Sequence, residues 1–85
     1  MIFYHGTTEE NWNKIQNEGV LYGIREAPSR VTYLTDTIEE AKQYGDVILE
    51  VEYDPYLHKE LNNYVPEYWQ VRVYEPIKLK NVKRL

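Results

Sequence analysis

The chain contains no cysteine, which removes disulfides, thiolate metal sites and thiol nucleophiles from consideration and suits a reducing cytoplasm. It also lacks any apolar run approaching the ~20 residues that a membrane-spanning helix needs, and Met1-Ile2-Phe3-Tyr4 is too short for the apolar region of a signal peptide. A cytoplasmic protein with no membrane partner is therefore expected. Excess positive charge is missing as well: ten basic residues against fourteen acidic ones give a net charge of -4, which argues against broad electrostatic binding to nucleic acid. The locally basic tail, Lys78-Leu79-Lys80-Asn81-Val82-Lys83-Arg84, reads as the solvated face of a last strand.

What is present fits one small globule. Eighty-five residues without an internal repeat, 42% of them apolar, predict a single domain over residues 1–85 that buries about 60–65% of its unfolded surface. Nine tyrosines in so short a chain supply core, sheet surface or stacking platforms, and composition does not choose among these.

Ile2 to His5 suits a strand, which Gly6 breaks. Thr7 and Glu10 have capping-box spacing, Trp12 and Ile15 share a face, and Gly19 suits a left-handed cap, so a helix is predicted from about Thr8 to Glu18. Val20-Leu21-Tyr22 reads as a short strand, Gly23 to Arg30 as a loop, and Val31-Thr32-Tyr33-Leu34 as a strand. Thr37 and Glu40 repeat the capping spacing ahead of a second helix that ends at Tyr44 and Gly45. In Val47 to Tyr53 the odd-numbered residues Val47, Leu49, Val51 and Tyr53 face one side, and Glu50 and Glu52 the other. A polar connection from Pro55 to Pro66 with room for one helical turn leads to Tyr68–Glu75, which again alternates. Pro76 marks an end or an edge, and Asn81 to Leu85 a final edge strand. Two early helices followed by strands predict an α+β domain with mixed or antiparallel sheets.

Three places carry possible chemistry. His5-Gly6 is either a strand-ending turn or a point where a ligand meets imidazole and backbone, since glycine admits a flat ligand and offers an N–H and a C=O. Tyr33 and Tyr44 are either core aromatics or stacking rings. Gln70 lies on the side of its strand opposite Trp69, Val71 and Val73. His58 reads as an exposed loop residue.

The ordered set "YHGT" (Tyr4–Thr7), "NEG" (Asn17–Gly19), "VTYLTD" (Val31–Asp36), "AKQYG" (Ala41–Gly45), "VILEVEYD" and "WQVRVYEPI" (Trp69–Ile77) resembles the ADP-ribosyltransferase fold, in the branch of diphtheria-type toxins and poly(ADP-ribose) polymerases. The resemblance spans most of the chain. It implies a split β-sandwich of two small sheets with two short helices, and NAD as substrate, with no metal. It assigns His5 to a ribose hydroxyl and Gly6 to the carboxamide, with Thr7 beside them. Tyr33 and Tyr44 would sandwich the nicotinamide ring; Arg25 and Arg30, in the loop before Tyr33, are either pyrophosphate contacts or, as is commoner, solvated loop arginines.

The chain departs from the family at Gln70, which stands where active members usually carry a glutamate. Glu75 is odd in spacing from Gln70 and would need a bulge to reach the same side; Glu67 is a reserve candidate. A carboxylate there stabilises an oxocarbenium-like ribose and accepts a proton, whereas an amide only orients a hydroxyl. The resemblance thus implies a mono-ADP-ribosyltransferase with a His5, Tyr33, Gln70 triad, acting on an unidentified protein or nucleic-acid acceptor. The alternatives are a non-catalytic binder of NAD or an ADP-ribose-like nucleotide, and an interaction protein that keeps the fold without a ligand. Compact chains of this fold occur among phage and bacterial conflict proteins, which implies a modifier or counter-defence factor.

Overall fold

In the computed structural model the backbone of residues 1–26 and 29–85 is described, with the side chains of all of these except 24–26 and 29. The elements run β1 (Ile2–Thr7), α1 (Glu9–Glu18), β2 (Val20–Leu21), β3 (Ile24–Glu26), β4 (Ser29–Thr35), α2 (Ile38–Ala41), β5 (Val47–Glu52), β6 (Gln70–Val73), β7 (Ile77–Lys78) and β8 (Val82–Arg84). Short 3-10 turns occupy Lys42–Tyr44, Lys59–Leu61 and Leu79–Asn81.

The described residues form an α+β fold with two sheets and two helices. The larger sheet has the order β3-β4-β1-β5-β8, with β6 also paired to β4; β2 and β7 form the smaller one. Every strand pairing described is antiparallel.

The helix ends follow from local chemistry. Thr8 caps α1 by accepting from the Asn11 N–H at 3.1 Å, so the cap falls one residue later than the Thr7–Glu10 spacing predicts. Thr7 is instead the buried last residue of β1, paired with Val47. At the other end Gly19 adopts φ 84°, where a side chain would be strained, and donates its N–H to the Ile15 carbonyl. Thr37 caps α2 through the Glu40 N–H at 3.2 Å, as the sequence predicts. The α-helix lasts four residues before tightening into the 3-10 turn, and Tyr44 at the end of that turn is 46% exposed.

The core gathers Phe3, Ile15, Leu21, Leu34, Val47, Leu49, Val51, Val71, Val73 and Ile77. Phe3, Leu49 and Val51 come from one face of β1 and β5, so α1, β2 and β7 supply the cover for that face. Ile48 is buried too, although alternation turns it the other way, because its partner Gly6 lies under α2.

Three further predictions of local structure change. Gly6 does not break β1, which continues through it to Thr7 with Gly6 paired to Ile48. Gly23 to Arg30 is expected as a loop, yet Ile24 pairs with Val31, Arg25 with Arg30 and Glu26 with Ser29, residues 27 and 28 lying outside the described residues. The strand expected over Tyr68–Glu75 holds its ladder only from Gln70 to Val73. Tyr68 belongs to a turn, with its N–H on the Val65 carbonyl, while the Trp69 carbonyl accepts from the Asp36 N–H. No helix among the described residues is long and apolar enough to cross a membrane.

Candidate functional site

The site lies where the larger sheet forks. Strand β1 pairs with β5 along its whole length, from Ile2 opposite Glu52 to Thr7 opposite Val47. Its register with β4 among the described residues is Tyr4 opposite Thr35 alone. Beyond that pair β4 continues toward its partner β3 and β1 toward α1. The gap is bridged by a side chain: His5 Nδ1 lies 2.7 Å from the Tyr33 carbonyl oxygen. A carbonyl only accepts, so Nδ1 carries the proton and Nε2 of the neutral ring is an acceptor. Burial lowers the His5 pKa from its ordinary value, outweighing the opposite effect of the Tyr33 carbonyl, so the ring is neutral at neutral pH.

A cavity of about 420 Å³ opens at this fork, within the ~300–1,000 Å³ range of small-molecule sites. His5, Gly6 and Thr7 from β1, Arg30 and Tyr33 from β4, and Tyr44 all line it. The positions drawn from separate stretches of sequence thus share one hollow. The side chain of Arg25 lies outside the described residues.

Gly6 has a packing role that the sequence does not reveal. A Cβ at this position would fall 1.8 Å from the carbonyl oxygen of Ala41. Its missing side chain therefore admits the backbone of α2, in addition to leaving Gly6 on the cavity wall.

Arg30 is committed within the protein. Its two terminal nitrogens reach the two carboxylate oxygens of Glu18 at 2.8 and 2.9 Å, Nε donates to the Gly23 carbonyl at 3.2 Å, and the terminal nitrogen also meets the Tyr22 carbonyl at 2.5 Å. The guanidinium carbon stands 4.4 Å from the centre of the Tyr22 ring. Glu18 holds the Arg30 pKa up and is itself held below the ordinary carboxylate value. A phosphate would have to displace Glu18 to gain a bidentate contact, so Arg30 fits a wall-building role better than the pyrophosphate contact expected of it.

Gln70 is placed next to the cavity rather than on its wall. Its Nε2 lies 3.2 Å from the Tyr44 hydroxyl, and Tyr44 is the lining residue. Tyr33 and Arg72 are cross-strand partners, with the Arg72 guanidinium 5.7 Å from the Tyr33 ring centre.

Neither alternative acid reaches the site. Glu75 accepts from the Tyr53 hydroxyl at 2.8 Å and sits 3.3 Å from His58 Nδ1, beside a different cavity bounded by Glu52, Asp54 and Lys78. Burial, helped by Glu75, raises the Tyr53 pKa. His58 is exposed, as expected, yet has this partner. Glu67 is exposed and does not line the fork cavity.

Sequence reasoning missed Asn11, Lys14 and Glu18, which line the cavity with Ile15. Their spacing is itself a signal: positions 11, 14, 15 and 18 form one helical stripe. Comparison with family models, with curated proteins and with solved structures returns no match.

Proposed function

We propose that the fork cavity holds the nicotinamide riboside end of NAD and that the chain is a minimal mono-ADP-ribosyltransferase. The observation that carries this reading is the meeting of His5, Gly6, Tyr33 and Tyr44 around one hollow, with Gln70 bonded to Tyr44. In this reading the acceptor nitrogen of His5 takes a ribose hydroxyl, the Gly6 backbone pairs with the carboxamide, and the two tyrosines flank the ring. Each aromatic contact contributes about 0.5–1.5 kcal/mol beyond area burial, enough to orient a ring and not to break a bond.

Transfer breaks the bond between ribose C1′ and the pyridinium nitrogen, whose electron pair leaves with nicotinamide. The acceptor nucleophile forms the new bond to C1′ and gives up a proton to solvent water. An amide at position 70 neither stabilises the developing positive charge as a carboxylate does nor takes that proton. Loss of one aimed electrostatic contact costs about 3–4 kcal/mol of barrier, so transfer is slow and stops at one unit.

One observation favours a second reading, a binder of NAD or an ADP-ribose-like nucleotide without turnover. Among the described residues lining the cavity, the carboxylate is that of Glu18, and Arg30 occupies both of its oxygens.

Incubation with NAD and a cell lysate decides between them. Release of nicotinamide with a mass gain of one ADP-ribose on a lysate protein supports transfer; binding by calorimetry without either supports the binder. No binding of NAD or any adenine nucleotide overturns both.

A further inference from the structure

We propose that Gln70 is a positioning residue: its carboxamide ties the Tyr44 ring across the mouth of the fork cavity and does not itself meet the ligand. This rests on the nicotinamide reading above and replaces the direct ribose contact expected of Gln70. Tyr44 ends a 3-10 turn and is 46% exposed, and an exposed tyrosine on such a turn exchanges rotamers freely unless its far end is held. The bond from Gln70 Nε2 to the Tyr44 hydroxyl, 3.2 Å long, holds that end.

Both partners are referenced to one rigid point. Gln70 opens β6 directly opposite Thr35. The fully buried Thr35 hydroxyl donates to the carbonyl of Thr37, the residue that caps α2, at 2.9 Å, and lies 3.3 Å from the Tyr4 carbonyl, with which it can share that one proton. The turn that carries Tyr44 and the strand that carries Gln70 therefore move together with the fork.

The choice of amide over carboxylate also sets the direction of the bond. With the amide turned so that Nε2 donates, the Tyr44 oxygen accepts and its proton remains available to donate to a ligand. A glutamate at this position would hold the ring equally well but would claim that proton for itself.

The test is a double-mutant cycle read by calorimetric titration of the full chain with NAD and with nicotinamide. Tyr44→Phe and Gln70→Leu are each expected to weaken binding about 5- to 10-fold, the usual worth of one hydrogen bond. The double variant is expected to be no weaker than either single one, and Gln70→Glu, which holds the ring but takes its proton, to recover only part of the affinity lost in Gln70→Leu. Additive losses in the double variant would show that Gln70 touches the ligand and overturn the proposal. In the ligand-free protein the side-chain amide resonances of Gln70 are expected to move on Tyr44→Phe; if they stay in place the tie does not exist. Failure of the wild-type chain to bind either compound overturns the nicotinamide reading alone, and the Gln70 resonances still decide the tie.

Discussion

The imidazole of His5 bridges the two strands that part at the fork, its Nδ1–H reaching the Tyr33 carbonyl at 2.7 Å. This bond separates two duties of one ring, since Nδ1 serves the fold and Nε2 is left for a ligand. Asparagine places its amide nitrogen close to where Nδ1 sits, so His5→Asn is expected to keep the fold while losing the acceptor. The expected outcome is a thermal midpoint near the wild-type value with NAD binding lost. Equal loss of both would show that the ring serves the fold alone.

The lowered His5 pKa makes stability depend on pH. An unfolded imidazole takes up a proton near pH ~6.5, whereas the folded ring resists it because burial disfavours the charged form. Between the unfolded value and the lower folded value, the unfolded state binds more protons. The His5 contribution is therefore complete above that window and is lost as the pH falls through it. Urea titrations at about pH 7.5 and about pH 5.5 are expected to show a larger acid-induced loss for the wild type than for His5→Asn.

Replacing Gly6 by alanine forces a methyl group against the Ala41 carbonyl. Because the obstacle is backbone, α2 must shift, and a cost of about 1–3 kcal/mol or more is expected. At roughly 4–8 °C per kcal/mol for a chain of this size, a thermal melt reads it directly. An unchanged midpoint would mean that α2 does not pack on β1 as described.

Arg30 and Glu18 are expected to behave as one unit. Lysine keeps the charge and loses the two-pronged geometry, so Arg30→Lys and Glu18→Gln should lower the thermal midpoint by similar amounts, and the double variant by little more. A direct phosphate contact would instead spare the ligand affinity in Glu18→Gln and reduce it in Arg30→Lys.

Glu75 provides a contrast. Its bonds to Tyr53 and His58 lie away from the fork, so Glu75→Gln is expected to lower stability and leave NAD affinity as it was. A fall in affinity would place Glu75 within reach of the ligand after all.

How much of this was legible in the sequence depends on the range of the interactions involved. The alternation of Val47, Leu49, Val51, Glu50 and Glu52 announced β5 because a strand repeats every two residues whatever surrounds it. The Thr37 cap was equally local. The Thr7 cap was misjudged by one residue because Thr7 and Thr8 are both competent caps, and β1 claims the first of them for its ladder with Val47. Gly23 to Arg30 read as a loop from its glycine, proline and serine, but antiparallel pairing of Ile24–Glu26 with Ser29–Val31 makes strand of both its ends.

The candidate site divides the same way. Its residue types, His5 beside Gly6 and tyrosines at 33 and 44, were open to reading from the order of short motifs along the chain. That Arg30 would be spent on Glu18, that Gly6 would make room for Ala41, and that Gln70 would reach Tyr44 rather than the cavity were decided by tertiary structure. Helix caps and strand alternation are set by neighbours a few residues apart, which the sequence displays. Pairings across 12, 26 or 35 positions exist only once the chain has folded and brought those atoms within a hydrogen bond or a van der Waals radius of each other.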